Sequence, residues 1–308
     1  MILQLYFLLS PFVTRPKYQW KSSYTKKYAD KLVSEQHPQP KTKDLNRPVF
    51  ILAHGFGASP FEWNETQQYL ESNTSAHVSN VYLGGHSTLD DFSQATWQDW
   101  LQPIIDEYKR IVELGFKSIY LGGCSTGGTL ILQGLMQEMF PHVACIKHIF
   151  FVDILLYPQS TLLNKLPYIH RFTYDQHIPL DHTEKKHWLP YRPTTSLFAL
   201  LEFITLSKKT LHTRLCLPAS LGISLFYASN DPVVNPNSSR TVYNRLNRLI
   251  HYCKLHGVES HQHVFTRQKG RLSTSKLDSE NQMEFFSHLT AVLNNEHLTE
   301  EKDNVQPD

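Results

Sequence analysis

From residue 47 onward, short runs of β-branched and aromatic residues alternate with longer stretches whose apolar positions recur every three to four residues. That alternation predicts an α/β fold, with helices covering both faces of a mostly parallel sheet. Residues 49–53 (VFILA) read as the first buried strand. A helix follows over 60–71, a strand over 78–83, a long helix over 93–114 and a strand over 118–122. The next helix covers 126–139 and the next strand 146–155. The alternation then stops and resumes with a strand at 223–228. Beyond it the same pattern gives a helix over 240–256, a last strand over 260–266 and a closing helix over 281–293.

The interruption at 157–219 is rich in aromatics and histidines and carries a helix over 194–206 behind Pro193. Connections in compact domains usually run about 2 to 6 residues, and far longer ones are commonly lids or binding loops. The segment is therefore read as a cap. The organisation that follows is an N-terminal segment at 1–46, a core built from 47–156 and 220–293, the cap at 157–219, and a polar tail at 294–308.

Composition narrows the functional classes. With 308 residues, 41% apolar and 19% charged, most of the chain has enough apolar surface to fold. Its 30 Lys and Arg against 28 Asp and Glu are mixed along the sequence, so there is no basic stripe and no nucleic-acid partner is expected. Cys124, Cys145, Cys216 and Cys253 form no CxxC pair. That speaks against a disulfide framework or a thiolate zinc site, and for a reducing, cytoplasmic location. Residues 1–13 (MILQLYFLLSPFV) hold about ten apolar residues, where a spanning helix needs about twenty. A truncated signal peptide, an interfacial anchor and a strand packed on the body all suit this segment; packing or weak peripheral membrane contact is the preferred reading.

The chemistry centres on Gly123-Cys124-Ser125-Thr126-Gly127, where the strand at 118–122 must turn into the helix that begins at Thr126. A serine held on so sharp a turn needs strained backbone angles, and small neighbours let strand and helix approach. Gly123 and Gly127 meet that need, and Gly122 and Gly128 extend the small collar. Three further stretches stand at the ends of other strands: His54-Gly55-Phe56-Gly57, Leu83-Gly84-Gly85-His86-Ser87 and Asn230-Asp231-Pro232-Val233-Val234. Together these residues resemble the α/β-hydrolases, nearest to their carboxylesterase and monoacylglycerol-lipase-like branch. The resemblance covers about 49–293, nearly all of the globular part.

The resemblance implies a hydrolase sheet with a helical cap, and roles for particular residues. Ser125 becomes the nucleophile, which needs a base to take its proton as it attacks an acyl carbonyl. The backbone N–H groups of Phe56 and Thr126 become the oxyanion donors. Asp231 becomes the acid that orients the base, although an aspartate before a proline also describes a plain turn. Asp153, near the end of the preceding strand, is its rival; apolar flanks equally suit a buried structural carboxylate. His54 is read as ordering the oxyanion loop.

The histidine is where the pattern departs. The family places it just after the last strand, and the loop expected there, 268–273 (QKGRLS), has none. Of His251, His256, His261, His263, His288 and His297, His263 is chosen, on the condition that the strand ends early. His261 would lie on the same strand face two residues deeper. His251, His256 and His288 fall on expected helices and read as surface or packing residues.

In the cap, His170, His177, His182 and His187 are spaced by seven, five and five residues, unlike the tight pairs of helical zinc sites, so no metal is expected. Tyr168, Phe172, Tyr174, Trp188 and Tyr191 suit an apolar wall over the site or an aromatic cap core in equal measure. The expected activity is a cofactor-independent serine hydrolase acting on a small hydrophobic acyl ester, of short to medium chain or monoacylglycerol-like. The rival, motivated by the missing histidine, is a catalytically weak hydrolase-fold protein that binds a hydrophobic ligand or a partner.

Overall fold

The computed structural model describes residues 32–161, 163, 165, 176–177, 187–213, 215–218 and 220–294. Residues 1–13, the tail beyond 294, and the cap residues Tyr168, His170, Phe172, Tyr174 and His182 lie outside the described residues. Six strands form the sheet: β1 (Val49–Ala53), β2 (His77–Val81), β3 (Ile119–Cys124), β4 (Ile146–Val152), β5 (Gly222–Ala228) and β6 (Tyr252–Val258). Every neighbouring pair is parallel, in the order β2-β1-β3-β4-β5-β6. The chain therefore reverses its direction of winding between β1 and β3. In open parallel sheets the crevice beyond the carboxyl ends of the strands at such a switch point is where ligands bind.

The helices are α1 (Val33–Gln36), α2 (Thr42–Leu45), α3 (Asn64–Asn73), α4 (Leu89–Gln94), α5 (Trp97–Glu113), α6 (Thr126–Met136), α7 (Thr194–Thr210), α8 (Asn237–Leu246) and α9 (Lys276–Leu293). Because side chains alternate along a strand, β1 feeds two cores at once. Val49, Ile51 and Ala53 pack with Trp100, Ile104, Leu130 and Phe203 on one face. Phe50 and Leu52 pack with Trp63, Leu70, Phe285 and Leu289 on the other. All five β1 residues are buried, as the apolar run predicts for a strand covered on both faces.

Several expected elements shift, each for a local reason. The helix expected over 93–114 is two helices, broken at Ala95–Thr96. Thr96 is extended, and its hydroxyl accepts the Asp99 N–H while the Asp99 carboxylate accepts the Thr96 N–H, a capping box that starts a new helix. The helix expected over 240–256 ends at Leu246, and Tyr252–Val258 is instead the last strand, paired with β5 along its whole length. The helical periodicity runs unbroken through Arg248, Leu249 and Ile250 with no glycine or proline to end it. As an edge strand, β6 is only half covered, so Lys254 and His256 blur its alternation. The strand expected over 260–266 is a turn whose Val264 and Phe265 are nonetheless fully buried, which is why it reads as a strand. This correction moves the loop after the last strand from 268–273 to the residues directly following Val258, and His263 stands in it.

Within the interruption, α7 runs longer than expected, to Thr210, and is tied down beside α4: the Ser196 hydroxyl donates to Phe92 O and the Thr195 hydroxyl to Ser93 O, each at 2.7 Å. Leu189 N–H donates to Gly57 O at 2.9 Å, joining this segment to the loop after β1. Among the described residues no helix is long and apolar enough to cross a membrane.

At the β2 edge of the sheet, the buried Glu107 carboxylate accepts hydrogen bonds from Ser34 N–H, the Ser34 hydroxyl and the Ser79 hydroxyl, fastening α1 to β2 and α5. Removing that acceptor strands three buried donors. Glu107→Ala is expected to lower unfolding stability by about 2 to 4 kcal/mol in urea titrations and to speed proteolysis before residue 47.

Candidate active site

Ser125 is the single residue between the last residue of β3 and the first of α6, and it sits at φ 50° and ψ −121°. A non-glycine residue in that region costs about 1 to 3 kcal/mol and persists only where the surroundings hold it. Its N–H donates to Val152 O at 2.9 Å and its carbonyl accepts the Leu155 N–H at 3.2 Å, so the end of β4 and the loop after it grip it on both sides. The glycine collar sets how closely the elements meet. A Cβ on Gly127 would lie 2.3 Å from Ala53 O, and one on Gly123 would lie 2.6 Å from the backbone of Gly128. Here the small residues are a steric requirement of β1, β3 and α6 converging under one side chain.

The loop after β1 is shaped by two buried side chains. His54 accepts the Leu83 N–H on Nε2 at 3.1 Å, which leaves Nδ1–H to donate to Gly55 O at 2.9 Å. Burial, with His86 alongside, pushes its pKa well below the ordinary value, so the ring is a neutral bridge. Glu62, which nothing in the sequence reading singled out, accepts the Gly55 N–H at 2.7 Å and the Cys124 thiol at 3.0 Å on the same oxygen. A buried carboxylate thus couples the loop after β1 to the residue before Ser125. Burial and Glu62 push the Cys124 thiol pKa well up, so it stays a thiol. Glu62 stands in Pro60-Phe61-Glu62-Trp63, a short 3-10 turn that carries it back under the loop, and no sequence pattern marks it. Among the described residues, the N–H groups of Phe56 and Thr126 donate to no protein acceptor.

Asp231 follows β5 and is 3% exposed. Its Oδ1 accepts the Val233 and Val234 N–H groups at 2.7 and 3.0 Å, the turn that its sequence context describes. Its Oδ2 meets His263 Nδ1 at 2.7 Å. Asp231 thus spends one oxygen on its own turn and the other on His263. Asp153 lies beside the pair, but its carboxylate is committed to the Ala228 N–H at 2.7 Å and the Val264 N–H at 2.9 Å. Burial and then the Asp231 charge raise its pKa. Asp153 therefore holds the His263 loop against β5 through the backbone.

Strain collects here. Ser125, Asp153 and Val264 all have φ between 48° and 54°. A β-branched residue such as Val264 is a marked outlier in that region. The Asp153 carboxylate fixes its N–H and Arg271 donates to its carbonyl at 2.8 Å, with a second bond to His263 O. Together they hold the turn that presents His263.

Ser125, His263, Phe56 and Glu62 line one cavity of about 280 Å³, with Leu155, Leu163, Leu197, Leu200, Val233, Trp188 and Arg192 among its other walls. No hydrogen bond joins Ser125 to His263; both line this cavity. Thr126 begins α6 directly beside them. The remaining histidines are elsewhere. His251 is exposed ahead of β6, His256 stacks on Phe226 at 4.3 Å, and His288 on α9 bonds the Ser224 hydroxyl at 2.8 Å. His261 is in the same turn as His263, not beneath it on a strand, and His297 is outside the described residues. His187 stacks on Phe61 at 3.9 Å.

No family model matches the chain. Its likeness is to solved structures. The structure of LipS and LipT, two metagenome-derived lipolytic enzymes, superposes with a TM-score of 0.60 at 18% identity, over 79% of this chain and 94% of that one. A soluble variant of monoglyceride lipase from Saccharomyces cerevisiae gives 0.59 at 14% identity, over 80% and 87%. The monoacylglycerol lipase of Paleococcus ferrophilus gives 0.56 at 14% identity, over 79% and 94%. The chain has the α/β-hydrolase fold. In that fold a serine at the strand-to-helix turn after β3, an acid after β5 and a histidine after the last strand follow one another in this chain order. Ser125, Asp231 and His263 do so.

Electrostatics bias the pair toward a charged imidazole. Burial alone would lower the pKa of His263, but the charge of Asp231 and its hydrogen bond, followed by Asp153 and Glu62, outweigh burial and hold it above 6.5. An NMR titration of the imidazole is expected to give a midpoint above that value. In Asp231→Asn, burial is left with less to oppose it, and the midpoint is expected to fall.

Proposed function

We propose that the protein is a serine hydrolase that cleaves carboxylic esters through an acyl-enzyme on Ser125. The observation that carries this reading is the 2.7 Å contact between Asp231 Oδ2 and His263 Nδ1, because it leaves Nε2 as the ring nitrogen available to a hydroxyl in the cavity shared with Ser125. His263 Nε2 takes the hydroxyl proton as Ser125 Oγ bonds to the acyl carbon, and the carbonyl electrons move onto oxygen. The N–H groups of Phe56 and Thr126 receive that charge, a type of contact worth about 3 to 4 kcal/mol per donor. The intermediate collapses with loss of the alcohol, which takes the proton from the imidazolium. Water then enters by the same route, its proton passing to His263 and its oxygen to the acyl carbon, and Ser125 is released. Asp231 orients the ring through Nδ1 and steadies the imidazolium.

The cavity supports a restricted substrate. About 280 Å³ is at the small end of ligand pockets, which run from about 300 to 1,000 Å³. Leucine and valine side chains make up much of its wall, which suits short to medium acyl groups. The ligand-binding rival was motivated by a last strand at 260–266 and an empty loop beyond it; with the strand at Tyr252–Val258 that motive is gone.

A fluorophosphonate probe is expected to label the intact protein and not Ser125→Ala. His263→Ala is expected to lower kcat for p-nitrophenyl butyrate by at least about 10³-fold while circular dichroism stays unchanged. The kcat/KM profile is expected to fall on the acid side with a midpoint above 6.5, because a raised imidazole pKa means the base is protonated, and so lost, at a higher pH. A folded protein that the probe does not label would overturn the reading.

A further inference from the structure

The wall of the cavity contains a cation, Arg192, that no carboxylate among the described residues pairs with. Arg192 reaches it from a two-residue ladder, in which Gln176 and His177 pair with Arg192 and Tyr191, just before Pro193 caps α7. Its Nε is sealed from solvent and has no hydrogen-bond partner. Among the described residues, no carboxylate forms a salt bridge with it. Burial pushes its pKa down.

Three other arginines among the described residues are used differently. Arg245 donates to Leu211 O and Thr213 O, Arg271 to the carbonyls around Val264, and Arg267 to Lys269 O while its guanidinium lies 4.6 Å over the Trp188 ring. Each of these fastens a loop. Arg192 fastens nothing; it faces the same space as Ser125 and His263. The acid in that space, Glu62, is already held by the Gly55 N–H and the Cys124 thiol at the loop after β1. One cavity thus has a bound carboxylate beside the nucleophile and an unmatched guanidinium in its outer wall.

A guanidinium offers a planar fork of donors that matches the two oxygens of a carboxylate, and removing it from water is unfavourable unless such a partner arrives. We propose that the ester cleaved at Ser125 is itself an anion, carrying a carboxylate on its acyl or alcohol part that Arg192 binds while Ser125 attacks the ester carbonyl. This rests on the hydrolase reading above and narrows its substrate class from neutral acyl esters to monoesters bearing a free acid. Burial in the cavity strengthens the pairing, and the leucine and valine walls accommodate the carbon chain between the two ends.

Two matched pairs of esters test it. The half-ester of adipic acid with p-nitrophenol is compared with p-nitrophenyl hexanoate, which has the same acyl length and leaving group but no carboxylate. 4-Carboxyphenyl hexanoate is compared with phenyl hexanoate for an acid on the other side. Uncatalysed rates are subtracted. In at least one pair the anionic ester is expected to have the higher kcat/KM by about tenfold or more, chiefly through KM. Arg192→Met is expected to abolish that preference and Arg192→Lys to restore part of it, since a lysine supplies the charge without the fork. Fluorophosphonate labelling of Ser125 in each variant reports that the site is still assembled. A wild-type ratio near one in both pairs, or a preference that survives in Arg192→Met, overturns the proposal and leaves the hydrolase reading standing. Failure of the wild-type protein to label or to cleave any of the four esters overturns the hydrolase reading and this proposal with it.

Discussion

The site depends on a single constrained bend. Ser125 must hold a backbone conformation that an L-residue avoids, and it does so because β4 bonds its N–H, Leu155 just beyond β4 bonds its carbonyl, and two glycines let β1 and α6 close around it. Strain of this kind is tolerated only where the surrounding packing over-determines it. The two cores on either face of the sheet supply that packing. Their order also places the loops after β1 and β3 side by side at the switch point, so that Phe56 and Ser125 share a cavity.

A second group of constraints converges on the histidine. Asp231 bonds it directly, while Asp153 and Arg271 hold the strained Val264 that follows it. Neither of the two buried acids is redundant. Asp231 uses one oxygen on its own turn and the other on the imidazole, whereas Asp153 spends both on backbone N–H groups. The two acids thus have different partners, and burial followed by the Asp231 charge raises the pKa of Asp153.

How far this was legible in the sequence differs by element. The buried strands at 49–53, 146–152 and 222–228 announce themselves as apolar runs, and the glycine-flanked Ser125 marks its own turn. The last strand does not. Tyr252–Val258 is an edge strand with polar Lys254 and His256, and its half-covered pattern carries on the helical period ahead of it. With the last strand read at 260–266 the loop beyond it holds no histidine, whereas the residues after Tyr252–Val258 include His263. Glu62 and Arg192 were invisible for another reason: a polar residue in a short turn looks like surface until the fold carries it under a loop or into a wall. A long-range contact, such as Glu62 to Gly55, has no period to reveal it.

The central claim is that the Ser125 hydroxyl becomes covalently acylated during turnover. The most direct measurement is intact-protein mass spectrometry with peptide mapping after the protein is mixed briefly with a p-nitrophenyl ester and quenched in acid. The account requires one acyl increment, located on the peptide that contains Ser125. Release of p-nitrophenol with no acyl adduct on that peptide, or with the adduct on another residue, would contradict it.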